Sequence, residues 1–188
     1  MIAASAGNYY EGLTQAEVEK FYNKMIDPKD PRPISYGLNS KLVKKNGKIY
    51  EQTYKIGGMY SEALEQVVYW LEKAEAVAEE PLKTTIGLLI KYYKSGDLKD
   101  FDAFNISWVQ DTQSNIDFVN GFTETYGDPL GFKASWESVV NFIDKAACAR
   151  TQTISENAQW FEDNAPIKPE YRKPVVKGVS AKVITVAM

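Results

Sequence analysis

Three consecutive helical patterns between residues 61 and 108 constrain the fold most strongly. In the first, over about Ser61–Glu79, apolar residues recur every three or four positions and Ser61 is the expected N-cap. The second pattern stops at Gly96, and Asp97 caps a third that runs to about Trp108. Each amphipathic helix must bury its apolar face, so this stretch predicts a helical layer packed beside another element.

A β-hairpin precedes this layer. Asn46-Gly47 separates two alternating runs, and both residues tolerate the positive φ that a two-residue hairpin turn requires. The predicted strands span about Ser40–Lys45 and Lys48–Lys55. Closer to the N-terminus, a capping-box pattern predicts a helix over about Thr14–Ile26. The small sheet is therefore flanked by helices on both sides in sequence.

A second hairpin is predicted downstream of the three helices. Residues 115–126 alternate with a period of two, which favours a strand, although Phe118 and Phe122 at helical spacing leave a helix open. Turn residues at 127–131 lead to another alternating run at 136–142. A helix over Lys145–Asn164 and a strand over Val175–Val186 complete the pattern. The expected class is α+β, mainly helical with antiparallel β-hairpins.

The composition excludes several kinds of chemistry. The sequence has no histidine and one cysteine, which rules out Ser/His/Asp catalysis, Cys/His catalysis, zinc sites with His ligands and an intramolecular disulfide. With 22 basic and 25 acidic residues the net charge is −3, which argues against a nucleic-acid partner. We find no apolar run long enough for a membrane span. A thiol without disulfides fits a reducing compartment, so we expect a cytoplasmic protein.

Glu124 is the leading candidate for a binding residue by pattern. In a strand over 115–126 it shares a face with Phe122 and Tyr126. A carboxylate among aromatic side chains on a half-buried face needs a partner. That partner can be a ligand ammonium, with Tyr126 donating to a carbonyl oxygen, or it can be a lysine of the protein itself. The pattern indicates one polar pocket and does not identify a reaction.

Two motifs resemble the dipeptidyl peptidase III family of zinc metallopeptidases. Trp108-Val109-Gln110-Asp111 is similar to the family's W-[IV]-Q-D element. The run GFTETYGDPLG at 121–131 is similar to its G-F-[IV]-E-[ST]-Y-x-D-P-[FL]-G element. The runs NYYEG at 8–12 and SYGLN at 35–39 are similar to the corresponding region of bacterial members. The resemblance spans nearly the whole chain.

The resemblance implies a two-lobed enzyme that releases dipeptides from the free N-terminus of oligopeptides and uses zinc held by two His and a Glu. Because this sequence has no His, we expect a fragment that is inactive alone and holds no cofactor, with zinc in the parent enzyme. Residues 1–144 are then predicted to be lower-lobe material with half of the peptide-binding cleft, and 145–188 a helix and strand leading into the missing zinc-bearing part. The expected partners are an oligopeptide substrate and the missing C-terminal lobe of the same polypeptide.

The resemblance also assigns roles residue by residue. Glu124 matches the carboxylate that binds the substrate's N-terminal ammonium, and Thr125 matches a position whose backbone lines the peptide. Tyr126 matches a tyrosine that hydrogen-bonds near the scissile carbonyl and stabilises the tetrahedral state. Trp108 and Glu137 match positions on the lower side of the cleft.

A second hypothesis remains open at this stage. The chain could be a stand-alone peptide- or glycan-binding module with an aromatic platform, formed by Tyr9, Tyr10, Trp108 and Trp136. By pattern alone, Trp108 is more typical of a core residue, and Glu137 of a solvent-facing charge beside a core aromatic.

Overall fold

The chain divides into two compact units. The computed structural model describes residues 2–178 and 182–187. The first unit contains the residues up to 114 together with 120–138, and the second contains 115–119 and the residues from 139 onward. Strands β4 (Ile116–Glu124) and β5 (Ser135–Ile143) therefore each contribute to both units. Helices and two three-stranded sheets make the chain α+β, as predicted.

The first sheet has the order β1-β2-β3 and contains the predicted hairpin. β2 (Ser40–Lys45) pairs antiparallel with β3 (Lys48–Thr53). The turn between them has φ values of 51° at Asn46 and 77° at Gly47. Both turn residues therefore adopt the positive φ on which the hairpin prediction rested. A two-residue strand β1 (Tyr10–Glu11) adds to β2 in parallel.

Helix α1 (Gln15–Asn23) covers this sheet with an apolar stripe. The predicted capping box forms: the Thr14 side chain accepts from the Glu17 amide, and the Glu17 carboxylate accepts from the Thr14 amide at 2.9 Å. Val18 and Tyr22 of the helix are fully buried together with Leu42 of β2. The capping box and the burial of Val18 and Tyr22 both agree with the helix predicted from the sequence.

The predicted helical layer consists of α2 (Ser61–Val77), α3 (Leu82–Ser95) and α4 (Leu98–Gln110), each in contact with the next. α3 is its centre, since Leu89, Tyr92 and Tyr93 are fully buried. The Tyr93 hydroxyl donates to the Asn120 side chain at 2.7 Å and so joins the layer to β4. Gly96 ends α3 with a φ of 70°, and the Asp97 side chain caps α4, as predicted.

The cap of α2 differs from the prediction. Tyr60, with a φ of 65°, holds the N-cap position, and Ser61 is the first helical residue. The Ser61 hydroxyl accepts from the Gly57 amide and donates to Glu65, both at 2.8 Å. The serine thus joins the preceding turn to the helix instead of capping free amides of the first helical turn.

In the second unit, two predicted elements are shorter than the sequence indicated. The helix expected over Lys145–Asn164 is two helices, α5 (Lys145–Glu156) and α6 (Ala158–Asp163). The interruption lies at Asn157, whose side-chain amide donates to the Thr153 carbonyl at 2.7 Å. Asparagine side chains compete with the helical backbone in this way.

The terminal strand expected over Val175–Val186 is β6 (Ile184–Val186), which pairs antiparallel with β5. Residues 179–181 of that prediction lie outside the described residues. At Gly178 the backbone passes so close to α5 that an added Cβ would lie 2.1 Å from the Ser155 carbonyl oxygen. The segment before residue 179 packs against a helix and does not pair with a strand. Within 2–178 and 182–187, no helix combines the length and hydrophobicity that a membrane span requires.

Candidate functional site

The β4–β5 hairpin brings two glutamates together. Glu124 is the last residue of β4, and Glu137 is the third residue of β5. The strands are hydrogen-bonded neighbours, and Ser135 at the start of β5 donates its hydroxyl to the Glu124 carbonyl oxygen at 3.3 Å. The strand interpretation of residues 115–126 is therefore right, and the helix is excluded, but the strand ends before Tyr126.

The two carboxyl groups interact directly. A hydrogen bond with the Glu137 carboxyl raises the pKa of Glu124 above its usual range, and loss of hydration and the repulsion between the two charges act in the same direction. Glu137 also accepts from the Thr123 hydroxyl at 3.3 Å. Such a pair holds a proton more tightly than a single carboxylate does. A cationic ligand can bind both carboxyl groups and relieve the repulsion between them.

Tyr126 lies beside this pair and is open to solvent. Its side chain is 85 % exposed, and its hydroxyl donates to Glu124, which lowers the pKa of that carboxyl slightly against the larger upward effects. Thr125 is half-buried, and its carbonyl accepts from the Asp128 amide at 3.0 Å, which starts the turn. Trp108 is half-buried near the end of α4, on a different element. The structure thus brings Glu124, Tyr126 and Glu137 together.

An apolar cavity of about 440 Å³ lies in the same unit as the carboxyl pair. Phe122, two residues before Glu124, is part of its wall, and its ring centroid lies 4.7 Å from that of Tyr54 and 5.2 Å from that of Trp136. Ser135, which bonds to Glu124, is also part of its wall. The complete lining is Asn8, Tyr9, Tyr54, Tyr60, Ala63, Leu64, Val67, Phe122, Ala134, Ser135 and Trp136.

This cavity only partly matches the aromatic platform considered above. Tyr9 and Trp136 contribute to its wall. Tyr10 has a different role, because its hydroxyl donates to the Asp128 carboxylate at 2.6 Å. Burial and that hydrogen bond raise the pKa of Tyr10 well above its usual value.

The loop between the two glutamates is fixed by Asp128, which is only 4 % exposed. Besides Tyr10, its carboxylate accepts from the backbone amides of Leu130 at 3.1 Å, Phe132 at 2.8 Å and Lys133 at 2.9 Å. By pattern, Asp128 is typical of a turn residue. Its four donors include a residue 118 positions away, and a local pattern gives no signal for that contact.

Lys133 lies at the end of this loop, and no local sequence pattern indicates its burial. Its side chain is fully buried, and its ammonium donates to Ser40 Oγ at 2.8 Å, to the Gly37 carbonyl at 3.1 Å and to the Tyr22 hydroxyl. Glu51 lies 3.7 Å away. Burial lowers the pKa of Lys133 to about 8, although the charges of Glu51 and Asp128 oppose that shift.

The stability of the protein should therefore depend on the charge of Lys133. Between pH 7.5 and 9.5 the unfolded chain retains the lysine proton while the folded chain loses it, so unfolding takes up a proton and stability rises with pH. With a pKa of about 8 in the folded chain and an ordinary lysine pKa of 10.5 in the unfolded chain, we expect this contribution to be roughly 2 kcal/mol over that interval. Urea unfolding at the two pH values measures it.

Lys133→Met provides the reference for that measurement, because all other titrating groups remain. We expect the free energy of unfolding of the wild type to rise with pH relative to that of the variant. Equal pH dependence in the two proteins would show that the folded and unfolded pKa values of Lys133 do not differ.

A second variant tests the carboxyl pair. Glu137→Gln removes one charge, keeps the size of the side chain and leaves an amide that can donate to Glu124, so we expect the pKa of Glu124 to fall toward its ordinary range. Carboxyl ¹³C NMR across a pH series measures this. Glu156→Gln, at an exposed site on α5, should leave the titration of Glu124 as in the wild type. A pKa of Glu124 that is unaffected by Glu137→Gln would contradict the interaction.

The donor set of this chain does not fit a zinc site. The sequence has no His, and across the described ranges 2–178 and 182–187 no cluster of three or more His, Cys, Asp or Glu side chains could hold a metal ion. Two carboxylates on one hairpin supply too few ligands for a tetrahedral zinc centre. The chemistry that these residues support is recognition of a cation beside an apolar surface.

Comparison with known proteins gives consistent matches. The model of peptidase family M49 matches residues 35–180. Dipeptidyl peptidase 3 of Homo sapiens is 27 % identical over 117 residues, covering 62 % of this chain and 16 % of that protein. Dipeptidyl peptidase 3 of Dictyostelium discoideum is 26 % identical and covers 88 % of this chain and 26 % of that protein. The solved structure of DPP III from Caldithrix abyssi has a TM-score of 0.79 at 22 % identity, and covers 97 % of this chain and 34 % of that one.

These matches share one property. The chain spans only about a sixth to a third of the length of the proteins that it matches. The family match covers the carboxyl pair, the loop between its two members and most of the cavity wall.

Proposed function

The chain belongs to peptidase family M49, and from this premise we propose that it binds the free N-terminus of an oligopeptide for a peptidase that releases dipeptides. The observation that carries the proposal is the Glu124–Glu137 carboxyl pair, in the same unit as an aromatic cavity whose wall includes Ser135, the hydrogen-bond partner of Glu124. The matched proteins named dipeptidyl peptidase 3 or DPP III support the choice of substrate class.

The carboxyl pair fits a peptide ammonium in both charge and number of acceptors. An ammonium has three donors, and Glu124 and Glu137 together offer four carboxylate oxygens. The hydrogen bond with Glu137, loss of hydration and like-charge repulsion raise the pKa of Glu124, and a bound ammonium would counter that repulsion. Charge-assisted hydrogen bonds of this kind are about twice as strong as neutral ones. A peptidase that counts residues from the amino end needs such an anchor.

The cavity is proposed to receive an apolar part of the same peptide. Its aromatic side chains Tyr54, Tyr60, Phe122 and Trp136 form a wall with few polar groups. Pockets of this size and character bind apolar side chains and leave orientation to a few polar groups nearby. Glu124 and the hydroxyl of Tyr126 are those groups. Tyr126 is exposed enough to donate to a peptide carbonyl.

The zinc-dependent hydrolysis that the resemblance implies uses His ligands, and this chain has no His. We propose that the zinc ligands belong to another part of a longer polypeptide, where zinc would supply a Lewis acid, and that the 188 residues are inactive by themselves. In that assignment five residues bind and orient the peptide in half of a cleft. They are Glu124, Thr125, Tyr126, Trp108 and Glu137. Tyr126 also stabilises the developing oxyanion by its hydroxyl hydrogen bond.

A comparison of peptides that differ only at the amino terminus tests the proposal. We expect an apolar tetrapeptide with a free amine to bind at least about tenfold more tightly than its N-acetylated form, since acetylation removes the charge. Affinity for the free amine should fall as the pH is lowered through the raised pKa of Glu124. Isothermal titration calorimetry measures both effects.

Equal affinity for the two peptides would contradict an amine anchor. It would favour the second candidate, a peptide- or glycan-binding module, for which the joint presence of Tyr9 and Trp136 in the cavity wall is the supporting observation. Binding of a neutral oligosaccharide with no dependence on pH would support that alternative directly.

A further inference from the structure

A buried ammonium holds the start of the strand that carries Glu137. Lys133 is two residues before β5, and its Nζ is surrounded by acceptors from four segments. These are Tyr22 of α1, Gly37 of the preceding turn, Ser40 of β2 and Glu51 of β3. The ammonium also lies 4.7 Å from the centroid of the Tyr22 ring.

An apolar residue would be the simpler occupant of this position. Burying a lysine costs several kcal/mol unless its charge is compensated, and Glu51 provides only partial compensation at 3.7 Å. The acceptors themselves form a connected set, since Tyr22 and Ser40 each donate to Glu51 Oε1 at 2.7 Å. Burying this network is costly, but its polar groups have partners within it. The network therefore holds the surrounding segments in one geometry.

The fixed geometry extends from Lys133 to the carboxyl pair along the backbone. Ala134, the next residue, donates its amide to the Leu38 carbonyl at 3.0 Å and is 1 % exposed. Ser135 follows and bonds to the Glu124 carbonyl. Glu137 is two residues further along β5. Through Ala134 and Ser135 the Lys133 network is thus connected to the hairpin that carries Glu124 and Glu137.

We propose that Lys133 is a positioning residue that sets the distance between the Glu124 and Glu137 carboxyl groups. The inference deepens the amine-binding role proposed above and rests on it for its effect on peptide affinity. The lysine itself touches no substrate. It acts by fixing where β5 begins, and therefore how closely the second carboxyl approaches the first.

The titration of Glu124 in Lys133→Met tests this proposal without any ligand. A looser hairpin lets the carboxyl groups separate, so we expect the pKa of Glu124, measured by ¹³C NMR on the full chain, to fall toward its ordinary range. The sign is decisive, because removal of a positive charge acting only through space would raise that pKa. An unchanged or raised pKa would overturn the proposal.

Two further variants separate positioning from general loosening. Tyr22→Phe removes one acceptor of Lys133 and keeps the ring, so we expect a smaller fall of the Glu124 pKa in a protein that is perturbed less. Leu89→Ala destabilises α3, where Leu89 is fully buried, and should leave that pKa as in the wild type. If Leu89→Ala lowered it as much as Lys133→Met, the positioning role would be wrong.

Peptide affinity distinguishes the positioning role of Lys133 from the amine-binding role of Glu124. A lower Glu124 pKa in Lys133→Met together with an affinity loss of at least about threefold for the free-amine peptide supports both. The same fall in pKa with unchanged affinity supports positioning and overturns the amine anchor. An unchanged pKa in Lys133→Met, with affinity lost in Glu124→Gln, overturns positioning and leaves the proposed function standing.

Discussion

Glu124→Gln is expected to weaken binding of a free-amine peptide by roughly 10- to 100-fold. The substitution removes the negative charge and replaces one acceptor oxygen with an NH₂ group that opposes the ammonium. A hydrogen bond to a charged group contributes about 1.5–3 kcal/mol, and each 1.4 kcal/mol is about a tenfold change in affinity. Calorimetric titration of wild type and variant with the same peptide gives the ratio.

The controls for this prediction concern the ligand and the protein. The N-acetylated peptide should bind both proteins equally weakly, because neither offers it an ion pair. Glu156→Gln makes the same chemical change at an exposed site in the second unit and should leave affinity unaltered. Equal binding of the free-amine peptide to wild type and Glu124→Gln would remove Glu124 from the proposed site.

Asp128→Asn is expected to have the largest effect on stability. Oδ2 of Asp128 accepts from the Tyr10 hydroxyl and from two backbone amides, so an amide nitrogen in that place faces two N–H donors and has only the Tyr10 oxygen as an acceptor. If the side chain is turned over, the nitrogen instead faces the Leu130 amide. Loss of charge-assisted bonds with unsatisfied groups left behind costs about 3 kcal/mol, which corresponds to a decrease of roughly 10 °C in Tm for a chain of this size.

Asp27→Asn is a matched control for this substitution. Asp27 is exposed and its carboxylate accepts from the Lys29 amide, an interaction that an asparagine side-chain oxygen can also make. Its Tm should change by no more than about 2 °C. Circular dichroism melts of the three proteins give the comparison. A Tm loss in Asp128→Asn no greater than in Asp27→Asn would show that the loop does not depend on the buried carboxylate.

Local chemistry was sufficient to predict most of the elements. Asn46-Gly47 predicts its hairpin because both residues accept positive φ, and they adopt it. The Thr14–Glu17 capping box and the Asp97 cap form because each needs only atoms within a few positions. The Ser61 cap failed for a non-local reason, since the Gly57 turn occupies the serine hydroxyl.

The candidate site was predictable only in part. Glu124 stood out because a carboxylate among aromatic residues needs a partner, yet the pattern offered a ligand ammonium or a lysine where the structure has Glu137. That pairing depends on the register of the hairpin, which the loop geometry at 125–134 fixes. The burial of Lys133 could not be predicted, because the three groups that accept its hydrogen bonds lie 93 to 111 positions away in sequence.

The complete burial of Lys133 has a practical consequence for chemical labelling. An amine reagent can reach its Nζ only when the surrounding segments open, and in the open state the amine reacts like that of any exposed lysine, such as Lys29. The acylation rate of Lys133 divided by that of Lys29 therefore equals the fraction of molecules in which this network is open. Mass spectrometry of the labelled peptides thus reports the free energy of local opening around Lys133, at the base of the candidate binding hairpin, without any substitution in the protein.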